Sequence, residues 1–156
     1  MKLKKEESKK VQRVPREEYE PIYTIGVAAM KLGISVHSFR QYETEGLIIP
    51  YKTSTGRRLY SDLELEKVTC IKSMIQDEGL NFAGIRRLLA MIPCWKLKNC
   101  PKSSVEKCLA FKDRIRPCWA SEAKCAHPLP SCRDCEVYRK IVHCDDILPL
   151  IYNPGK

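Results

Sequence analysis

Eight of the nine cysteines in this 156-residue chain follow Pro93, in the series Cys94-x5-Cys100-x7-Cys108-x9-Cys118-x6-Cys125-x6-Cys132-x2-Cys135-x8-Cys144; Cys70 alone lies earlier. No other feature limits the fold as much. The segment that carries them has few large apolar side chains, frequent prolines and little helical periodicity beyond EVYRKIVH. A core that thin does not hold a small domain folded without a staple.

The kind of staple depends on the compartment. The opening MKLKKEESKKVQRVPREEYE is charged and lacks the apolar stretch of a secretory signal, and no apolar run is long enough to cross a bilayer. A reducing cytoplasm is therefore expected, where clustered cysteines serve more often as metal ligands or redox groups than as structural disulfides. Cys132 and Cys135 form a Cys-x2-Cys half-site, and a tetrahedral zinc site needs two further ligands. Cys94, Cys100, Cys108, Cys118 and Cys125 are the candidates, with His127 and His143 as substitutes. Structural zinc contributes an apparent ~10 to 16 kcal/mol at neutral pH. Iron–sulfur clusters also take four thiolates and tolerate irregular spacing. The expected cofactor is zinc or an Fe-S cluster, with Trp95 and Trp119 shielding it.

The first half reads differently. Residues 1–20 mix charges of both signs and are expected to form a flexible tail. IGVAAMKLG predicts a short helix stopped by Gly33, and Ser35 caps a second helix, VHSFRQYETEG, with Val36, Phe39 and Tyr42 along one face. Two short helices across a Gly-containing turn suggest a helix-turn-helix. YKTSTGRRLY carries a turn between two short pairing segments, a wing. Ser61 and Glu64 make a capping box for a third helix with Leu65, Val68, Ile71 and Ile75 as its buried stripe. Cys70 lies off that stripe and is read as a packing residue. Asn81 caps a fourth helix, which Pro93 ends.

The 28 Lys and Arg against 19 Asp and Glu leave a net charge of +9, which favours a polyanionic partner. On the second helix His37, Ser38 and Gln41 face away from Phe39, and Gln can bond an adenine edge bidentately. Arg40, Arg57 and Arg58 are placed to reach phosphate or guanine, and Tyr42 and Tyr60 to donate hydroxyl hydrogen bonds to phosphate. No Ser-His-Asp arrangement, phosphate-binding glycine loop or carboxylate pair is evident, so the chain is not expected to be an enzyme. A thiol redox or metal-carrier reading rests only on Cys132-Arg133-Asp134-Cys135.

With these residues in view, YTIGVAAMKLGISVHSFRQYETEGLIIPYKTSTGRRLYSDLELEKV resembles the winged DNA-binding domain of the MerR family. RQYE and DEGLNFAGIRRLL are similar to its heat-shock repressor branch. The resemblance implies a transcriptional regulator that binds promoter DNA as a homodimer and acts on RNA polymerase, with no membrane association. One departure is that Pro93 and Cys94 stand where typical members continue into a long dimerisation helix. PCWKLKNCP, EKCLAF, PCW and CRDCEVY in turn resemble the two-CW domain, a cysteine-rich module found beside bacterial sensory domains. Its pattern takes in Cys94, Cys100, Cys108, Cys118, Cys125, Cys132 and Cys135 but not Cys144.

The expected fold is mainly α with a small β wing: tail 1–20, winged helix-turn-helix 21–92, irregular metal-held cysteine domain 93–144, and tail 145–156. The expected function is sequence-specific DNA binding with sensing of redox state or metal by the cysteine domain. The alternative makes that domain a structural zinc or partner-docking module.

Overall fold

A computed structural model describes residues 16–121, 125–127 and 129–154. Residues 1–15 of the expected tail lie outside them. Its end is tied down: Arg16–Tyr19 forms a 3-10 turn, and the Tyr19 carbonyl accepts from Arg133 at 2.8 Å.

The first half follows its local signals. Helix α1 (Ile25–Lys31) starts at Thr24, and α2 (Val36–Thr44) starts at Ser35, whose hydroxyl accepts from the Ser38 amide at 3.0 Å. That bond satisfies one of the donors every helix leaves open at its start. Gly46, with φ +71°, ends α2, and the Leu47 amide returns to the Tyr42 carbonyl at 2.9 Å. Strands β1 (Tyr51–Lys52) and β2 (Arg58–Leu59) pair antiparallel around Gly56 to form the wing. The Ser61–Glu64 capping box opens α3 (Asp62–Gln76), and Asn81 caps α4 (Phe82–Ala90). The α3 stripe differs in detail from the expected one, since Met74 rather than Ile75 is fully buried.

The second half is more helical than its sequence suggests. It contains α5 (Cys94–Leu97), α6 (Lys102–Val105), α7 (Leu109–Asp113) and α8 (Glu136–Lys140), then α9 (Cys144–Tyr152). The first four have only four or five residues each, too few turns to imprint a period. Most of the stretch expected as a C-terminal tail is α9. Its Ile147 is buried in the core, while Leu148 and Tyr152 are exposed.

One apolar core runs through both halves, with Phe39, Leu47, Val68 and Ile85 in the same cluster as Leu97, Val137, Ile141 and Ile147. Polar contacts cross the same seam. Arg133, 5% exposed, donates to Ser61 Oγ at 2.9 Å and to the fully buried Glu64 carboxylate at 3.1 Å. The ammonium of the buried Lys67 donates to the carbonyls of Tyr138 and Ile141. Burial lowers its pKa to about 7, opposed by the nearby Glu64 and Asp146 charges. Cys70 on α3 is disulfide-bonded to Cys144 on α9, 74 residues away. Cys70 is therefore not simply a packing residue; reading it within its own helix hid a distant partner. Among the described residues no helix is long and apolar enough to cross a membrane.

Candidate DNA interface and cysteine cavity

Because Phe39 and Tyr42 turn into the core, the other side of α2 faces outward. His37, Arg40 and Gln41 are exposed there, and Ser38 is half-buried with its hydroxyl 2.9 Å from that of Ser35. Arg57 and Arg58 are exposed on the wing. Arg58 Nε lies 2.8 Å from Glu43 Oε1, so a carboxylate on α2 holds the wing beside the helix. The result is an exposed face that carries three guanidinium groups, an amide and an imidazole, the donor types that base edges and phosphates take.

One expected DNA contact is corrected by burial. Tyr60 is fully buried, packs edge-on to Phe39 with ring centroids 4.8 Å apart, and donates its hydroxyl to Glu43 Oε2 at 2.7 Å. Burial, then that bond, raise its pKa well above the usual tyrosine value. Tyr42 is 7% exposed and stacks edge-on to Phe82. The Tyr60 hydroxyl is thus engaged inside the protein and not offered to phosphate, whereas Tyr42 buries its ring and its hydroxyl has no hydrogen-bond partner among the described residues.

The cysteines converge. Cys94, Cys100, Cys108, Cys118, Cys125, Cys132 and Cys135 all line one cavity of about 380 Å³, with Trp95, Phe111, Trp119 and Tyr138 among its walls. The neighbouring Cys118 thiol lowers the Cys94 pKa below the usual thiol value, while the Cys94 thiol and burial raise that of Cys118. His127 also lines the cavity, and its buried Nε2 has no hydrogen-bond partner among the described residues. His143 does not: it is exposed and caps α9.

The donor set suits a soft metal group, because thiolate is the ligand such metals prefer and an orphaned imidazole nitrogen is a spare donor. The spacing is wider than one ion takes. With zinc–sulfur bonds of 2.3 Å, tetrahedral zinc draws its sulfurs to within about 4 Å of each other. Among the described residues no three His, Cys, Asp or Glu groups converge that closely.

The cavity wall is joined to the DNA-facing half. Trp119 Nε1 donates to the Gly46 carbonyl at 2.9 Å, at the end of α2, and the Tyr138 hydroxyl accepts from the Ile49 amide at 2.9 Å. Gly46 and Ala120 pack so closely that a Cβ on Gly46 would sit 2.7 Å from that of Ala120. Sequence reasoning named Trp119 only as a shield and Glu64 only as a cap, and it missed the contacts that Trp119, Tyr138, Arg133 and Lys67 make across the seam. The one legible hint was that Cys70 and Cys144 both fall outside the seven-cysteine pattern.

Residues 23–92 match the model of the MerR HTH family regulatory proteins. Over 71 residues the chain is 38% identical to a putative heat shock protein HspR of Streptomyces coelicolor, covering 46% of this chain and 47% of the relative. It is 37% identical over 71 residues to the HTH-type transcriptional regulator GlnR of Bacillus anthracis, covering 46% and 54%. The HTH-type transcriptional regulator MlrA of Escherichia coli is 31% identical over 70 residues, 44% of this chain and 28% of the relative. The chain thus spans about half the length of the first two relatives.

Proposed function

Residues 23–92 are a MerR-type helix-turn-helix domain, and from that premise we propose that the chain is a sequence-specific DNA-binding transcriptional regulator whose cysteine cavity holds a thiolate-bound metal group and reports redox state or metal supply to the DNA reader. The observation that carries this reading is the convergence of all seven pattern cysteines on one cavity whose wall hydrogen-bonds to the end of α2.

His37, Arg40 and Gln41 present base-reading and phosphate-gripping groups from α2, and Arg57 and Arg58 grip flanking backbone from the wing. Two copies on one promoter site would place two such helices in successive major-groove segments, with RNA polymerase as the machinery acted upon. In the cavity, an iron–sulfur cluster fits the spread of thiols better than a single zinc, because a cluster spaces its ligands apart. Cys94 and Cys118 sit beside Trp95 and Trp119, which exclude water. When bound, such a group supplies a charge that changes with oxidation. Trp119 and Tyr138 stand between that charge and Gly46 and Ile49, so a shift in the wall is felt at the base of the recognition helix.

The test is iron, zinc and acid-labile sulfide per chain on protein purified without oxygen, followed by DNA affinity before and after oxidation. Iron with matching sulfide, and affinity that follows it, is the expected result. Stoichiometric zinc that resists mild oxidant, with unchanged affinity, would make the cavity a structural site.

A further inference from the structure

We propose that Cys70 and Cys144 form a reversible thiol–disulfide latch, closed by a two-electron oxidant such as a peroxide, that fastens α9 over the core beneath the recognition helix. The latch is chemically separate from the cavity, since neither sulfur belongs to the seven that line it. The DNA arm of its test and the expectation of a reducing compartment rest on the proposed function above.

Three observations support a switch rather than a permanent staple. A protein that works on chromosomal DNA in a reducing compartment keeps few permanent disulfides, and those it forms are transient or sensing. The two α-carbons are 5.2 Å apart in the bonded state, on packed helices and within the range a disulfide spans. In this same bonded structure Cys144 Sγ lies 3.3 Å from the Cys70 carbonyl, an acceptor within reach of the thiol that reduction would free.

The position gives the latch something to act on. A small internal gap beneath α9 is lined by Cys70, Met74, Leu47, Trp119 and Ile147. Leu47 follows the end of α2, and Trp119 holds Gly46. Ile147 lies on this floor, and opening the latch leaves α9 held by packing and by the contact of His143 Nδ1 with Glu66 Oε2 at 3.8 Å.

The chemistry balances. A Cys144 thiolate attacks a peroxide oxygen, the O–O bond breaks, and a sulfenic acid forms as one water leaves. The Cys70 thiolate then attacks that sulfur, the S–S bond forms and a second water leaves. In total the two thiols give up two protons and two electrons, and hydrogen peroxide is reduced to two waters. A dithiol reverses the process through a mixed disulfide.

The experiment uses the full chain, treated with hydrogen peroxide or dithiothreitol, alkylated, digested and read by mass spectrometry. The expected result is a joined Cys70–Cys144 peptide pair after peroxide and two separately labelled peptides after dithiothreitol. Reduction should lower the melting temperature of the native chain by roughly 10 °C. Cys144→Ser, with Cys70→Ala as the second variant, should already melt low and drop by no more than about a third as much. Affinity for a duplex selected by the protein from a random library should change about fivefold or more between the two states of the native chain. Absence of the joined peptide after peroxide overturns the proposal. A reductive drop equally large in both variants assigns the effect to the cavity group and also overturns it. So does a joined pair with unchanged DNA affinity.

Discussion

At α2 and the wing, single side chains divide into those that read and those that grip. Gln41→Ala should weaken binding to a selected site by about 1 to 3 kcal/mol and relax preference at one base position. Arg57→Ala should instead weaken all sequences alike and reduce the slope of log affinity against log salt by about one. Fluorescence titrations at several salt concentrations separate the two. Lys67 makes a different prediction. Its folded pKa of about 7 lies below the ordinary lysine value of 10.5, so between those values the unfolded chain binds more protons and stability rises with pH. The difference in stability between native chain and Lys67→Met should therefore shift in favour of the native chain from pH 7 to 10, at most by about 1.4 kcal/mol per pH unit. Urea titrations at several pH values read it, and a flat difference would mean that burial does not lower the Lys67 pKa. None of this was visible beforehand at Lys67, whose neighbours in sequence say nothing of Tyr138 and Ile141.

Among the elements, what the sequence announced was what short-range chemistry decides. Ser35, Asn81 and the Ser61–Glu64 pair each cap a helix because the partner amide lies two or three residues on. Gly33 and Gly46 end helices where φ turns positive. The short helices after Cys94 were illegible because contacts across the core, not periodicity, hold them. The same difference separates two glycines. Gly33→Ala meets nothing within 4 Å and should cost only the left-handed backbone, about 1 to 2 kcal/mol. Gly46→Ala adds a collision with Ala120 and should cost clearly more, by roughly another 1 to 3 kcal/mol in urea denaturation. Trp119→Phe keeps an aromatic wall but loses the donor to Gly46. It should retain the native metal and sulfide content while its DNA affinity no longer follows oxidation; a response equal to the native one would rule out this contact as the link.

For the whole molecule, the seam between DNA reader and cysteine segment is not a linker. Arg133 reaches the capping box of α3, Lys67 reaches the end of α8, and the Cys70–Cys144 bond closes a long loop. Removing Arg133 would leave Glu64 charged in the interior, which is why such pairs are costly to break from one side. The sequence divided the chain at Pro93 because composition changes there, while side chains separated by about half the chain share one core. On the function proposed above, chemistry at the sulfurs of the cavity displaces the base of α2 through Trp119 and Gly46. The most direct measurement is the affinity of one anaerobic preparation for its selected duplex, recorded stepwise as oxidant removes the thiolate-bound group and its absorbance falls. Affinity changing about tenfold in proportion to that loss is the predicted result. Constant affinity across the whole titration, or a preparation with neither metal nor sulfide that binds the duplex as tightly, would contradict the account.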